Sequence, residues 1–150
     1  MEDKERLYSM MKSASNTYYT SAVSLKIGAT IMSQSAKKVN LKFSELPIFI
    51  SVVLLLSLSI EVGLKALAIR CDKKVEKKHD LKILFDLLPK DLQEKIVKQV
   101  CEEKEFLEEI EKNKLTFQEW RYFYENKGAE NLKVNISFLE NLSKVIVGIL

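Results

Sequence analysis

Glycine and proline are scarce in this 150-residue chain, which has four of the first and two of the second. That is too few for a sheet-rich protein with many tight turns, so long helices are expected. The glycines form no phosphate-cradling loop. Cysteine is nearly absent: Cys71 and Cys101 are the only two, and no CxxC or Cys/His spacing predicts a zinc site. Two thiols in such a chain fit a reducing compartment. The single histidine, His79, has no nearby serine or cysteine nucleophile and cannot form a triad. The acidic residues are too dispersed in sequence to propose a metal site, so neither metal nor cofactor is expected. No strong charge of one sign is present either. The net charge of +3 proves no nucleic-acid partner.

What the chain does have is apolar material. Hydrophobic residues make up 47% of it, enough for one real core, and its length predicts a single domain over residues 1–150. From near residue 3 to residue 39, Leu7, Met11, Ala14, Tyr18, Ala22, Leu25, Ala29, Met32, Ala36 and Val39 recur every three or four positions. This is a helical seam, carried by one helix or by two joined near Gly28. Small residues around it would let another helix come close. Asn40 to Glu45 is a polar break, and Pro47 suits the start of a helix from about Ile48 to Arg70. Asp80 is placed to cap a short helix carrying Leu81, Leu84, Phe85 and Leu88, which Pro89 ends. Asp91 can cap the next, with Leu92, Ile96, Val97 and Val100 on one face. Phe106, Leu107 and Ile110 give the acidic stretch an apolar edge. Thr116 to Glu119 has capping-box spacing and predicts a helix through Trp120 to about Asn126, with Gly128 past its end and a loop over 127–134. Asn135 caps a last amphipathic helix through Ile149. The expected fold is all-α: an up-and-down helical bundle with long antiparallel helices and short additional ones.

Two charges sit inside the greasiest stretch. Leu46 to Ile69 reads LPIFISVVLLLSLSIEVGLKALAI, and Glu61 and Lys65 lie within it, one helical turn apart. The run without charge, Leu46 to Ile60, is 15 residues, short of the ~20 that cross a bilayer. Extending it takes in two charges that cost about 2.5–3.5 kcal/mol each at a helix centre. No membrane span is therefore expected, and a buried central helix is preferred. The N-terminus, MEDKERLYSM, lacks the apolar region of a signal peptide, so a cytoplasmic protein is expected.

The polar residues within these helices form a pattern. Ser59-Ile-Glu-Val-Gly-Leu-Lys-Ala-Leu67 comes first, then His79-Asp-Leu-Lys-Ile-Leu-Phe-Asp-Leu-Leu88, then Trp120-Arg-Tyr-Phe-Tyr-Glu125 and an amphipathic C-terminal helix. Over roughly residues 15–150 the chain resembles the HEPN family of prokaryotic helical bundles. The resemblance implies an up-and-down bundle, often a homodimer. It also implies roles in nucleotide binding, RNA cleavage, toxin–antitoxin pairs or phage defence, with RNA, a nucleotide or a cognate protein as partner. Nuclease members of that family carry an arginine, then four to six intervening residues, then a histidine. Here Arg70 precedes His79 by eight intervening residues, and Arg121 is followed by Asn126, Lys127 and Gly128. The nuclease assignment is not carried over.

Candidate residues follow, each with a plain structural alternative. Glu61 and Lys65 can hold a phosphate-bearing ligand or form an ion pair that sets helix register. His79 can act as a general base or fix the start of its helix beside Asp80. Arg121 can pair with Glu125 on one helix face, with Tyr122 and Tyr124 adding hydroxyls; the group can hold phosphate and stack bases, or lock two helices together. The basic island of Arg70, Lys73, Lys74, Lys77, Lys78 and Lys82 can follow a phosphate backbone or be a solvated connection. The acidic run from Glu102 to Glu111 is most simply a solvated helix face. Three functions remain: a ligand-binding HEPN-like module, an RNA-cleaving toxin with a rearranged site using His79 with Arg121 or Lys65, and a purely structural subunit.

Overall fold

The computed structural model describes residues 2–37, 48–75, 77–122 and 134–150. Among them there are seven helices and no strand: α1 (Glu2–Lys37), α2 (Ile48–Arg70), α3 (Leu81–Asp86), α4 (Lys90–Val100), α5 (Glu103–Asn113), α6 (Thr116–Arg121) and α7 (Ile136–Ile149). The all-α expectation holds. The polar break at 40–45, Pro47, Tyr124, Glu125 and Gly128 lie outside the described residues.

The two longest helices form an antiparallel hairpin. Going up α1, Lys4 pairs with Asp72 just past α2, Tyr8 meets Arg70 and Ser15 meets Ser59, so the partners descend along α2. Helix α7 also runs against α1, since Tyr8 donates to the Leu150 carbonyl at 2.8 Å and Lys26 pairs with Glu140. It lies in the groove beside α1 and α2. The remaining helices close the other sides of α2, with α3 and α6 directly against it and α4 against α7. This explains why α2 is apolar nearly all round. It is covered from several directions, and Val52, Ile60, Leu64, Ala66 and Ala68 are fully buried.

Close approach of α1, α2 and α7 is set by small and hydroxylic side chains. Ser15 Oγ donates to the Ser59 carbonyl at 2.8 Å, Ser59 Oγ returns a bond to the Ser15 carbonyl at 2.8 Å, and Ser143 Oγ donates to Ser59 Oγ at 2.7 Å. All three serines are buried, and each satisfies the others. Gly63 lies one turn further along α2, where a Cβ would stand 2.4 Å from Ile146 Cγ2 and 2.8 Å from Ser15 Oγ. On the far side, Phe85, Phe106 and Phe138 bring α3, α5 and α7 together, with ring centroids 4.9 and 5.6 Å apart.

Several expectations are corrected. Of the two arrangements the α1 seam allowed, one continuous helix through Gly28 is the one found. Its buried stripe passes through Ser15 and Ala22, whereas Leu7, placed in the expected seam, is exposed. The reason is steric: α2 approaches along the side where α1 is smallest. Asp80 caps α3 as expected, accepting from the Lys82 and Ile83 amides at 2.9 and 3.1 Å. Asn135 likewise caps α7 through Phe138 N at 3.0 Å. Asp91 does not cap α4. Pro89 occupies that place, and Asp91 sits in the first turn. The capping box at Thr116 does not form either. Leu115 precedes the helix, and the buried Thr116 hydroxyl donates back to the Asn113 carbonyl at 2.7 Å. The described part of that helix ends at Arg121 rather than near Asn126.

Two glycines should respond to alanine with opposite signs. Gly63→Ala overpacks the junction of three helices and is expected to lower stability by about 1–3 kcal/mol. A Cβ at Gly28 meets nothing within 4 Å, so Gly28→Ala should add up to about 1 kcal/mol of helix propensity. Urea unfolding of both variants in dilute solution checks the pair.

Candidate functional site

The central helix α2 presents three polar side chains on consecutive faces to its surroundings: Ser57, Ser59 and Glu61, all buried. Ser59 is absorbed into the serine cluster. Glu61 is different. Its side chain is 6% exposed, and its Oε1 accepts from Lys65 Nζ at 2.7 Å and from His79 Nδ1 at 2.8 Å. The first partner comes from the next turn of the same helix. The second comes from the connection to α3, just before the Asp80 cap. That cap and the bond from Leu81 N to the Lys114 carbonyl, 3.0 Å long, anchor the segment that delivers the imidazole.

This geometry fixes the roles of the histidine nitrogens. A carboxylate only accepts, so Nδ1 donates to it, and Nε2 is left for another group. The His79 side chain is 48% exposed whereas that of Lys65 is 14% exposed. The site therefore has a buried acid, a largely buried cation and an imidazole reaching the surface. The carboxylate–imidazole arrangement is the one that sets tautomer and ring orientation wherever histidine moves a proton or binds a ligand. The second oxygen of Glu61, Oε2, is buried and has no partner among the described residues, and the same holds for Ser57 Oγ one turn earlier and for Trp120 Nε1 on α6.

No family model, curated protein or solved structure matches this chain. Its chemistry must be read from the arrangement itself.

Three of the expected site residues, Glu61, Lys65 and His79, thus meet on one carboxylate oxygen. Asp80 neighbours them in sequence, but its Oδ1 is occupied by the two amides of the cap. Arg121 belongs to a different environment. Its guanidinium lies over the Phe117 ring, 5.9 Å from the centroid, and over that of Tyr122 at 5.2 Å. Arg121 and Tyr122 are both exposed. Tyr124 and Glu125, the other expected members of that group, lie outside the described residues. Of the basic island, Arg70 ends α2 and lies over the Tyr8 ring, Lys73, Lys74 and Lys77 are exposed on the connection leading to His79, and Lys82 pairs with Asp86 at 2.6 Å. Among the described residues, no group of three acidic, histidine or cysteine side chains could hold a metal ion.

A cleft of about 850 Å³ between α3, α4 and α5 was not anticipated. Lys82, Phe85, Gln93, Val97, Cys101 and Glu102 contribute to its walls. Its lining mixes both charges with apolar side chains, and only the acidic run, expected merely to be solvated, signalled it. Burial raises the Cys101 thiol above its ordinary pKa, and the carboxylates of Glu105, Glu109 and Glu102 push in the same direction. Tyr19 is also raised, by burial and then by Glu140, with Lys26 opposing.

Two outcomes follow for the buried groups. Removing Lys65 leaves the buried Glu61 carboxylate with the His79 bond alone and no buried counter-charge, so Lys65→Met should cost about 3 kcal/mol, whereas Glu61→Gln/Lys65→Met should recover most of it; urea unfolding of the two variants measures this. The raised Cys101 and Tyr19 pKa values mean that the folded chain holds these protons to higher pH than the unfolded chain. Their contribution is complete below the unfolded values and is lost as pH rises from about 8.5 upward through the folded ones. The urea midpoint should therefore fall above that pH, and fall less in Cys101→Ala/Tyr19→Phe.

Proposed function

We propose that this chain is a HEPN-like helical module of the bacterial cytoplasm that forms a homodimer and binds RNA, in a stress, toxin–antitoxin or phage-defence system. The observation that carries the ligand site is the single Glu61 oxygen that holds both Lys65 and His79. It supports a binding role because a purely packing-driven pair has no need of a half-exposed imidazole with its second nitrogen unused. An RNA phosphate offers that nitrogen an acceptor when the ring is charged, and a ribose hydroxyl offers it a donor when the ring is neutral. The exposed Arg70, Lys73, Lys74 and Lys77 supply sequence-independent attraction for the backbone on either side. Tyr122 and Arg121 add an exposed stacking surface.

On this reading α2 is the core helix of a soluble bundle. By length and composition it could cross a membrane, but 67% of its most apolar window is buried within the protein. The two charges within its apolar run, Glu61 and Lys65, are also paired with each other.

A second reading has the same residues cleaving RNA. The carboxylate-held imidazole favours it, since Nε2 could take a proton from a ribose hydroxyl. Against a phosphorane-like transition state, however, Lys65 is already committed to Glu61.

Fluorescence anisotropy with labelled single-stranded RNA tests the proposal. His79→Ala should weaken binding about tenfold, as expected for loss of one charge-assisted hydrogen bond. Affinity should also fall steeply between low and moderate salt. Unchanged affinity in both His79→Ala and the folded Glu61→Gln/Lys65→Met variant would leave the cluster with a structural role only. Cleavage of the RNA that His79→Ala abolishes would replace binding with the second reading.

A further inference from the structure

The cleft between α3, α4 and α5 holds a polar atom that the fold leaves unused. Gln93, on α4, is only 9% exposed and stands in the cleft wall. Its Nε2 donates to the Leu88 carbonyl at 2.7 Å and, more weakly, to that of Asp86 at 3.4 Å. A backbone carbonyl only accepts, so these bonds settle which end of the carboxamide is the nitrogen. Oε1 is turned the other way and accepts no hydrogen bond among the described residues. Unlike Ser57 Oγ and Glu61 Oε2, it is not sealed inside the protein. An acceptor held in one direction in a cleft wall suits a ligand that brings a donor to it.

The surroundings of that oxygen narrow the ligand further. Val97, one turn beyond Gln93, offers apolar surface together with Phe85 from α3 and Leu107 from α5. The Cys101 thiol stays neutral beside them, held protonated by burial and by nearby carboxylates. The walls as a whole carry three lysines against four carboxylates, so a plain anion or a plain cation meets repulsion as well as attraction. Two of these charges are Glu94 and Lys98, both exposed and four residues apart on α4. Acid before base at that spacing is the order in which helical ion pairs are most stable. Lys82 and Asp86 on α3 pair at 2.6 Å even in the less favourable order. Glu94 and Lys98 nevertheless form no ion pair with each other or with any described residue. Both charges are left for something that carries both signs.

We propose that this cleft binds a free α-amino acid with an apolar side chain. The ammonium group donates to Gln93 Oε1 and faces Glu94, the carboxylate faces Lys98 one turn along, and the side chain lies on Phe85, Val97 and Leu107. Residues four apart on a helix have Cβ atoms about 6 Å apart, a span that two charged groups on one carbon can bridge with ordinary hydrogen bonds. The ionised donor makes the bond to the carboxamide oxygen a strong one. At about 850 Å³ the cleft is within the size range of small-molecule sites. The inference goes beyond the RNA reading and does not rest on it, since Glu61, Lys65 and His79 do not line these walls.

Titration of the isotope-labelled chain with L-phenylalanine, followed by backbone amide NMR shifts, tests it. Saturable shifts should centre on Gln93, Val97 and Leu107, with a Kd of about 1 mM, as expected for so small a ligand. Phenethylamine, which lacks the carboxylate, and phenylpropionate, which lacks the ammonium, should each bind several-fold more weakly. Glu94→Ala and Lys98→Ala change exposed side chains and spare the fold, and each should weaken phenylalanine binding about threefold to fivefold. Gln93→Met should weaken it about tenfold. Because Gln93 also holds the turn between α3 and α4, the two exposed variants decide the matter if Gln93→Met does not fold. Absence of saturable shifts in the cleft overturns the proposal. So does binding of phenethylamine or phenylpropionate as tight as that of phenylalanine, or unchanged affinity in both Glu94→Ala and Lys98→Ala. His79→Ala should leave phenylalanine binding intact while it weakens RNA binding, so failure of this site is distinguishable from failure of the RNA site.

Discussion

The fold depends on covering α2 on most of its sides, with one stripe through Leu54, Leu58, Val62 and Lys65 left half-buried. A helix with so little polar surface must be surrounded, and the chain does this with α1 and α7 on one flank and α3 and α6 on the other. The cost falls on its few polar side chains, each of which loses water and needs a partner. Ser59 finds two serines, and their mutual bonds double as the contact that lets three helix backbones come close. Glu61 has no such neutral answer. Burying a carboxylate is tolerable only when it is paired, and Lys65 from the same helix provides the charge.

That pairing alone would complete an ordinary structural account. What separates Glu61 from Ser59 is the second donor, which arrives from a surface connection. His79 spends its inner nitrogen on the acid and keeps half its side chain in solvent. The result is a conduit from the buried charge of α2 to the exterior, held by the Asp80 cap immediately after it. A ligand that engages the outer nitrogen is therefore coupled electrostatically to the core of the bundle.

Much of this was legible in the sequence, for stated reasons. The charge pair in an apolar run pointed to α2 and to Glu61 because so few explanations suit a carboxylate there. Asp80 and Asn135 were readable as caps because a short acceptor before an apolar-periodic run has one common use. Other features were not legible. Capping-box spacing at Thr116 misled, since the hydroxyl found a carbonyl in the preceding helix. The seam on α1 was assigned to Leu7 and its successors because hydrophobicity was read without knowing how closely α2 would approach. Close approach selects for smallness, so within that seam Ala22 is buried and Leu25 packs against the core, Ser15 joins them, and Leu7 at the start is left exposed. Nor could sequence show that Arg121 lies over the Phe117 and Tyr122 rings, which required the path of α6.

The central claim is that the Glu61 carboxylate fixes the orientation and tautomer of His79. Because the chain has one histidine, long-range nitrogen–proton NMR correlations of its ring are unambiguous at a pH where the imidazole is neutral. The account predicts a proton on Nδ1 and a bare Nε2 in the wild type, with the Nε2–H form, usual for a free imidazole, taking over in Glu61→Ala. A wild-type ring already in the Nε2–H form, and unchanged in Glu61→Ala, would contradict it.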